Sequence, residues 1–153
     1  MTALVHYSVE NGVARLTLDS PHNRNAMSTG LVDQLRQGLT DAADDPGVRV
    51  VVLGHTGGTF CAGADLSEAA GRDPGDLATA RALEAAGLLR SILELPVPVI
   101  AAIDGHVRAG GMGLIGACDL VVAGTASTFA LTEARIGVAP SEVPQKKWTR
   151  LAC

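Results

Sequence analysis

The chain has 153 residues, 47% apolar but only 3% aromatic, with a formal net charge of −4. One domain of this length buries roughly 70% of its unfolded surface, in a core built here mainly from Val, Leu, Ile and Ala, and the acidic balance argues against nucleic acid, whose phosphates need clustered Lys and Arg. The longest apolar run, Val97 to Ile103, contains a proline and falls far short of the ~20 residues of a membrane span, while Met1 to His6 lacks the basic-then-apolar pattern of a secretory leader.

Val5, Tyr7 and Val9 alternate with polar residues, Asn11-Gly12 supplies a turn that tolerates positive φ, and Ala14, Leu16 and Leu18 resume the alternation. This predicts an opening β-hairpin. After the polar loop His22 to Asn25, Ser28 caps a helix with Leu31, Leu35 and Leu39 on one face, ended by Asp45-Pro46-Gly47. Val48 to Leu53 is apolar almost throughout, which predicts a strand covered on both faces. Gly71 to Gly75 reads as loop. Leu77 to Leu95 reads as a helix with an apolar face of Leu88, Leu89, Ile92 and Leu93, stopped by Pro96 and Pro98. Val99 to Ile103 and Leu120 to Ala123 read as two more buried strands, separated by a short helix ending near Ala117, and Phe129 to Leu131 as a short extended segment leading to Glu133. The alternation of strand, loop and helix predicts an α/β chain with much parallel pairing.

Two glycine-rich stretches follow buried strands, Thr59 to Leu66 and Asp104 to Gly113. Small residues at such places let a ligand's polar atom approach main-chain N–H groups. Phe60-Cys61-Ala62-Gly63-Ala64-Asp65-Leu66, then Ala109-Gly110-Gly111-Met112-Gly113 running to Cys118-Asp119, then Thr132-Glu133-Ala134-Arg135-Ile136-Gly137, resemble the three signature blocks of the enoyl-CoA hydratase/isomerase (crotonase) family. Asn23-Arg24-Asn25-Ala26-Met27-Ser28 resembles a fourth, and the four stand in the family's order between about Leu4 and Pro140. The resemblance implies an α/β fold of the ClpP-like crotonase type, a spiral of repeated β-β-α units, over residues 1–140. Residues 141–153 form an atypical tail that departs from the family's C-terminal helices.

By resemblance, the main-chain N–H groups of Ala64 and Gly110 form an oxyanion hole for a thioester enolate, and Glu133 is the proton-transfer carboxylate. Family hydratases carry a second glutamate where this chain has Gly113. A single carboxylate suffices to move a proton between two carbons, and hydration would need another group to help hold water. His106, Arg108, Asp65 and Glu68 are the polar candidates for that help. Taken alone, Glu133 reads as a solvated carboxylate paired with Arg135. The resemblance further implies coenzyme A contacts at Arg24, Ala26, Ala62, Asp65 and Leu66, coenzyme A being part of the substrate and no separate cofactor being required. It ranks hydration of a 2-enoyl-CoA to a 3-hydroxyacyl-CoA first, with Δ3-Δ2-enoyl-CoA isomerisation and a non-catalytic truncated family member as alternatives, and implies a homotrimer or hexamer.

Gly111-Met112-Gly113-Leu114-Ile115-Gly116 also satisfies the dinucleotide fingerprint Gly-x-Gly-x-x-Gly. That fingerprint should open directly after its strand and be followed by an acid about 20 positions on, at the end of the next strand. Neither condition holds here. Cys61, Cys118 and Cys153 fit reduced thiols of a cytosolic protein better than a disulfide framework. The four histidines, His6, His22, His55 and His106, have no metal-ligand spacing.

Overall fold

The computed structural model describes residues 2–69 and 74–136. The opening strands, β1 (Val5–Glu10) and β2 (Val13–Leu18), pair antiparallel from Val5 opposite Leu18 to Glu10 opposite Val13. Asn11 and Gly12 both take positive φ at the turn, 52° and 79°, the geometry that matches the twist of a two-residue hairpin. Ala14, Leu16 and Leu18 of β2 are fully buried, whereas Tyr7 and Val9 of β1 stay substantially exposed because β1 is an outer strand. Helix α1 (Thr29–Asp44) starts at Ser28, whose hydroxyl accepts from the Leu31 N–H at 3.3 Å, and its buried face carries Leu31, Val32, Leu35, Leu39 and Ala42.

Strand β3 (Val50–His55) lies parallel to β2, with Val51 and Leu53 buried and Val50 and Val52 half-buried on the other face. Coverage is therefore complete on one face only. β4 (Thr59–Cys61) follows at once, and α2 (Pro74–Leu93) then begins inside the stretch that the sequence suggests is loop, with Pro74 at its first position, where its missing N–H costs nothing. Leu88 and Ile92 are its core residues; Leu93, expected on the same face, is 36% exposed. β5 (Val99–Ile103) and β6 (His106–Arg108) lead into α3 (Gly111–Ala117), and β7 (Leu120–Ala123) and β8 (Thr128–Ala130) lead into a 3-10 turn, Thr132–Ile136.

Each of the last three units divides its strands between two sheets. The first sheet has the order β1-β2-β3-β5-β7, all parallel after the hairpin, and the second has the order β4-β6-β8, all parallel. This is the β-β-α spiral in the described residues. Strand β7 differs from the expectation of a buried strand: among the described residues it is the edge of its sheet, and all four of its residues are exposed. The core lies between the five-stranded sheet and α1, with Leu88 and Ile92 of α2 and Leu114 and Ile115 of α3 completing it. No helix among the described residues is long and apolar enough to cross a membrane. The tail at 141–153 and Cys153 lie outside the described residues.

Candidate active site

The three strands of the second sheet place three sequence candidates at one end. Cys61 of β4 pairs with Val107 of β6, and Arg108 of β6 pairs with Ala130 of β8, so the chain leaves the carboxyl ends of adjacent strands toward Ala64, Gly110 and Glu133. Neighbouring strands lie about 4.8 Å apart, so β4 and β8 flank β6 within roughly 10 Å. The Ala109 N–H donates to the Ala130 carbonyl at 3.1 Å, which ties the last two strand ends together.

The first two ends touch closely. Gly63 has φ 93°, and a Cβ built on it would stand 2.7 Å from the Ala109 Cβ and 3.2 Å from the Gly110 nitrogen. Glycine is required there by both conformation and space. Gly111 is similarly crowded, since its Cβ would meet the Cys61 carbonyl oxygen at 2.8 Å, and the Gly63 N–H reaches the Cys61 sulfur at 3.5 Å.

A short parallel bridge brackets Ala64. The Met27 N–H donates to the Gly63 carbonyl at 2.7 Å and the Asp65 N–H donates to the Met27 carbonyl at 3.3 Å. In a parallel bridge the flanking peptide groups face the partner, so the N–H of Ala64 itself points the other way. Neither the Ala64 nor the Gly110 N–H donates to any described residue, whereas the Gly110 carbonyl is engaged by Gly113 and Leu114 in the first turn of α3. Two main-chain donors are thus left uncommitted beside each other's loops.

Glu133 sits in the turn after β8, half-buried. Its Oε2 is shut from solvent and has no hydrogen-bond partner, and it forms no ion pair with Arg135 among the described residues. The solvated ion pair suggested by its sequence neighbour does not form. A buried polar atom without a partner is costly and rare enough to need a reason. Gly113 is buried in the first turn of α3 and brings no carboxylate.

The other polar candidates are occupied elsewhere. His106 Nδ1 lies 2.7 Å from the Thr128 hydroxyl oxygen, and Arg108 donates to that same oxygen and to the Thr128 carbonyl at 2.8 Å, so both side chains fasten β6 to β8. Glu68 accepts from the Thr29 N–H at the start of α1 and forms an ion pair with Arg81 of α2, which also reaches Glu84 at 2.6 Å.

Among the expected coenzyme A contacts, Ala26 is buried, Ala62 half-buried, and Leu66 is 73% exposed at the start of a 3-10 turn, Leu66–Ala69. Asp65 accepts from the Ser67 N–H and hydroxyl and from the Asn23 amide, and these bonds, led by the Ser67 hydroxyl and aided by the Arg81 charge against the opposing effect of burial, hold its carboxyl below the usual range. Arg24, with φ 59°, is exposed and forms no ion pair with a described residue. It lines a shallow cleft of about 40 Å³ with Pro21, Asn25 and Thr56 to Thr59, at the amino end of β4. The chemistry-bearing groups lie at the opposite, carboxyl ends of the strands, and there the candidate site is placed.

The sequence model of the enoyl-CoA hydratase/isomerase family matches residues 8–152. The chain belongs to that family. Its relatives include enoyl-CoA hydratase domain-containing protein 3, mitochondrial, of Danio rerio, 34% identical over 129 residues that cover 84% of this chain and 45% of that protein. An enoyl-CoA isomerase/hydratase of Mycosarcoma maydis is 37% identical over 142 residues, covering 84% of this chain and 50% of its own length. Among solved structures, an enoyl-CoA hydratase from Mycobacterium avium is 64% identical, with a TM-score of 0.84 over 94% of this chain and 56% of that one. The chain spans about half the length of the family relatives it matches. Family membership also disposes of the dinucleotide reading, whose glycines here start at the first residue of α3 and run inside it rather than forming a strand-to-helix turn.

Sequence reading missed Asn25, which is fully buried at φ 53°. Its side-chain oxygen accepts from the Ser20 N–H at 2.6 Å, and its amide donates to the Thr59 and Thr56 carbonyls at 2.8 and 3.2 Å. The available signal was an asparagine next to the apolar pair Ala26-Met27, since asparagine both tolerates positive φ and carries a donor and an acceptor.

Proposed function

We propose that this chain carries acyl-CoA thioester chemistry, with the Ala64 and Gly110 N–H groups holding the thioester oxygen as it gains enolate charge and Glu133 moving the proton. The observation that carries the reading is that two main-chain donors, uncommitted among the described residues, and a carboxylate each follow the carboxyl end of one of the adjacent strands β4, β6 and β8. Donors fixed before reaction at an oxygen that becomes negative are worth about 3–4 kcal/mol of barrier each. The carboxylate of Glu133, whose Oε2 has no partner among the described residues, is available as a proton acceptor.

Hydration of a 2-enoyl-CoA to a 3-hydroxyacyl-CoA is the leading reaction: Glu133 takes a proton from water as the water oxygen bonds to C3, and returns that proton to C2 as the enolate collapses. Isomerisation of a 3-enoyl-CoA, in which Glu133 takes a proton from C2 and returns it to C4, is the second reading. Gly113 favours it, because only one carboxylate is then required. Coenzyme A enters as part of the substrate, with Arg24, Ala26, Ala62, Asp65 and Leu66 as its contacts, and the reading includes a homotrimer or hexamer and a cytosolic setting.

The test is to incubate the purified chain separately with a 2-enoyl-CoA and a 3-enoyl-CoA and follow the absorbance of the conjugated thioester. Loss from the first identifies hydration; gain from the second identifies isomerisation. No change with either, together with no binding of acyl-CoA by calorimetry, defeats the enzyme reading and leaves the non-catalytic one.

A further inference from the structure

We propose that Asn25 is a positioning residue for the Ala64 N–H, an inference that rests on the thioester reading for its catalytic meaning but on the hydrogen bonds alone for its geometry. The loop from Ser20 to Ser28 carries Met27, and Met27 is the partner whose bridge turns the Ala64 N–H outward. The side chain that ties that loop to the strand ends around it is the buried Asn25.

Asn25 reaches three separate places: the Ser20 N–H beyond the end of β2, the Thr56 carbonyl beyond the end of β3, and the Thr59 carbonyl at the start of β4. Its own N–H donates to the Ser20 carbonyl at 2.9 Å, which closes the loop on itself. Only a carboxamide meets these demands. An oxygen must accept from Ser20 while an NH2 donates to two carbonyls; a carboxylate lacks the donors and a hydroxyl has only one. Two residues later, with buried Ala26 between, Met27 forms both bonds of the bridge to Gly63 and Asp65. The Asn23 amide adds a parallel tie to the Asp65 carboxylate at 2.9 Å. Asn25 thus acts on Ala64 through Met27 and never touches the thioester site itself.

The experiment uses the full chain with Asn25→Asp, which keeps shape but sets an oxygen against two carbonyls, and Asn25→Gly, which suits the positive φ and adds no charge. Residue-resolved amide exchange by NMR should quicken at least tenfold at Met27 and Asp65 in both variants, while the β5 amides at Ile100 and Ala101 change by less than twofold. If the first variant loses protection in β5 as well, the glycine variant decides. In turnover assays kcat should fall at least tenfold with KM within threefold, because a donor misaligned for the enolate costs more in the transition state than in substrate binding. Leu39→Ala, remote in the core face of α1, should lower stability while leaving kcat within twofold.

Unchanged exchange at Met27 and Asp65 in both variants overturns the proposal, as does faster exchange with kcat unchanged or a loss of kcat that Leu39→Ala reproduces. A wild-type chain that turns over neither enoyl-CoA defeats the thioester reading instead, and the exchange rates at Met27 and Asp65 then decide by themselves whether Asn25 sets the Ala64 loop.

Discussion

Placing a methyl group at Gly63 should separate the two donor loops. In Gly63→Ala the new Cβ would begin 2.7 Å from the Ala109 Cβ and 3.2 Å from the Gly110 nitrogen, whereas carbon atoms rest at about 3.5–4.0 Å. The loops must therefore part by about 1 Å. Overpacking of this kind costs about 1–3 kcal/mol, and holding an L-residue at the φ of 93° that Gly63 adopts adds roughly 1–2 kcal/mol. The sum, about 2–5 kcal/mol, is a large part of the 5–15 kcal/mol typical of a domain. It corresponds to a melting midpoint lower by roughly 5–20 °C. A 1 Å displacement of a positioning element can cost about 100-fold in rate, so kcat/KM on the productive enoyl-CoA should fall by about that factor in the fraction still folded. Urea denaturation and steady-state kinetics measure the two effects. Removing the opposing methyl tests the cause, since Gly63→Ala combined with Ala109→Gly should recover about 1–2 kcal/mol of the loss as a coupling energy. A Gly63→Ala chain with an unaltered midpoint and turnover within twofold of the parent would show that the loops are not in contact.

Glu133→Gln should reduce turnover by about 10²–10⁴-fold, the range for losing a general base, with a melting midpoint equal to or above the parent's because a neutral amide replaces the unpartnered buried oxygen. Retained turnover would remove Glu133 from the mechanism. Ser28→Ala deletes the hydroxyl that accepts from Leu31 and should cost about 1 kcal/mol in urea unfolding, with no change in m-value. Burial, and then the charge of Asp119, push the Cys118 thiol up to about 12. The folded chain thus resists forming the thiolate, so this contribution is complete below the unfolded thiol's pKa of about 8.5 and is lost as pH rises from there toward 12. Between pH 9 and 11 the stability of Cys118→Ala should fall less steeply than the parent's; equal slopes would show that Cys118 ionises freely.

Local pattern was enough where a residue's environment repeats at short range. The alternation around Asn11-Gly12 and the Leu31, Leu35 and Leu39 spacing identify the hairpin and α1 because each element buries one face with a regular period. β4 and β6, at three residues each, are too short for any period to register, and they exist through parallel pairing with each other, more than 40 residues apart in the chain, and of β6 with β8. Leu120 to Ala123 reads as buried because it is apolar, but burial depends on what lies beside it, and among the described residues β7 has a strand on one side only. The motif blocks identify the candidates Ala64, Gly110 and Glu133, yet Arg135 two residues on suggests an ion pair for Glu133 that does not form among the described residues. Asn25 shows the same limit: its three partners come from three elements, so no window of sequence contains them.

In the proposed function the three-stranded sheet gives each chemical task its own strand, which would separate holding from reacting. Ala64 and Gly110 would act through main-chain atoms, which persist whatever side chain stands there so long as the backbone path is kept. Glu133 would act through a side chain beyond a third strand end, linked to its neighbour by a backbone ladder and by the His106 and Arg108 side chains. A substitution at that end changes the reagent while leaving the grip intact, and adding a carboxylate on the first turn of α3, where Gly113 now stands, alters a different module again. A framework of this kind would let reaction type drift one position at a time while the proposed grip on a thioester carbonyl is inherited unchanged.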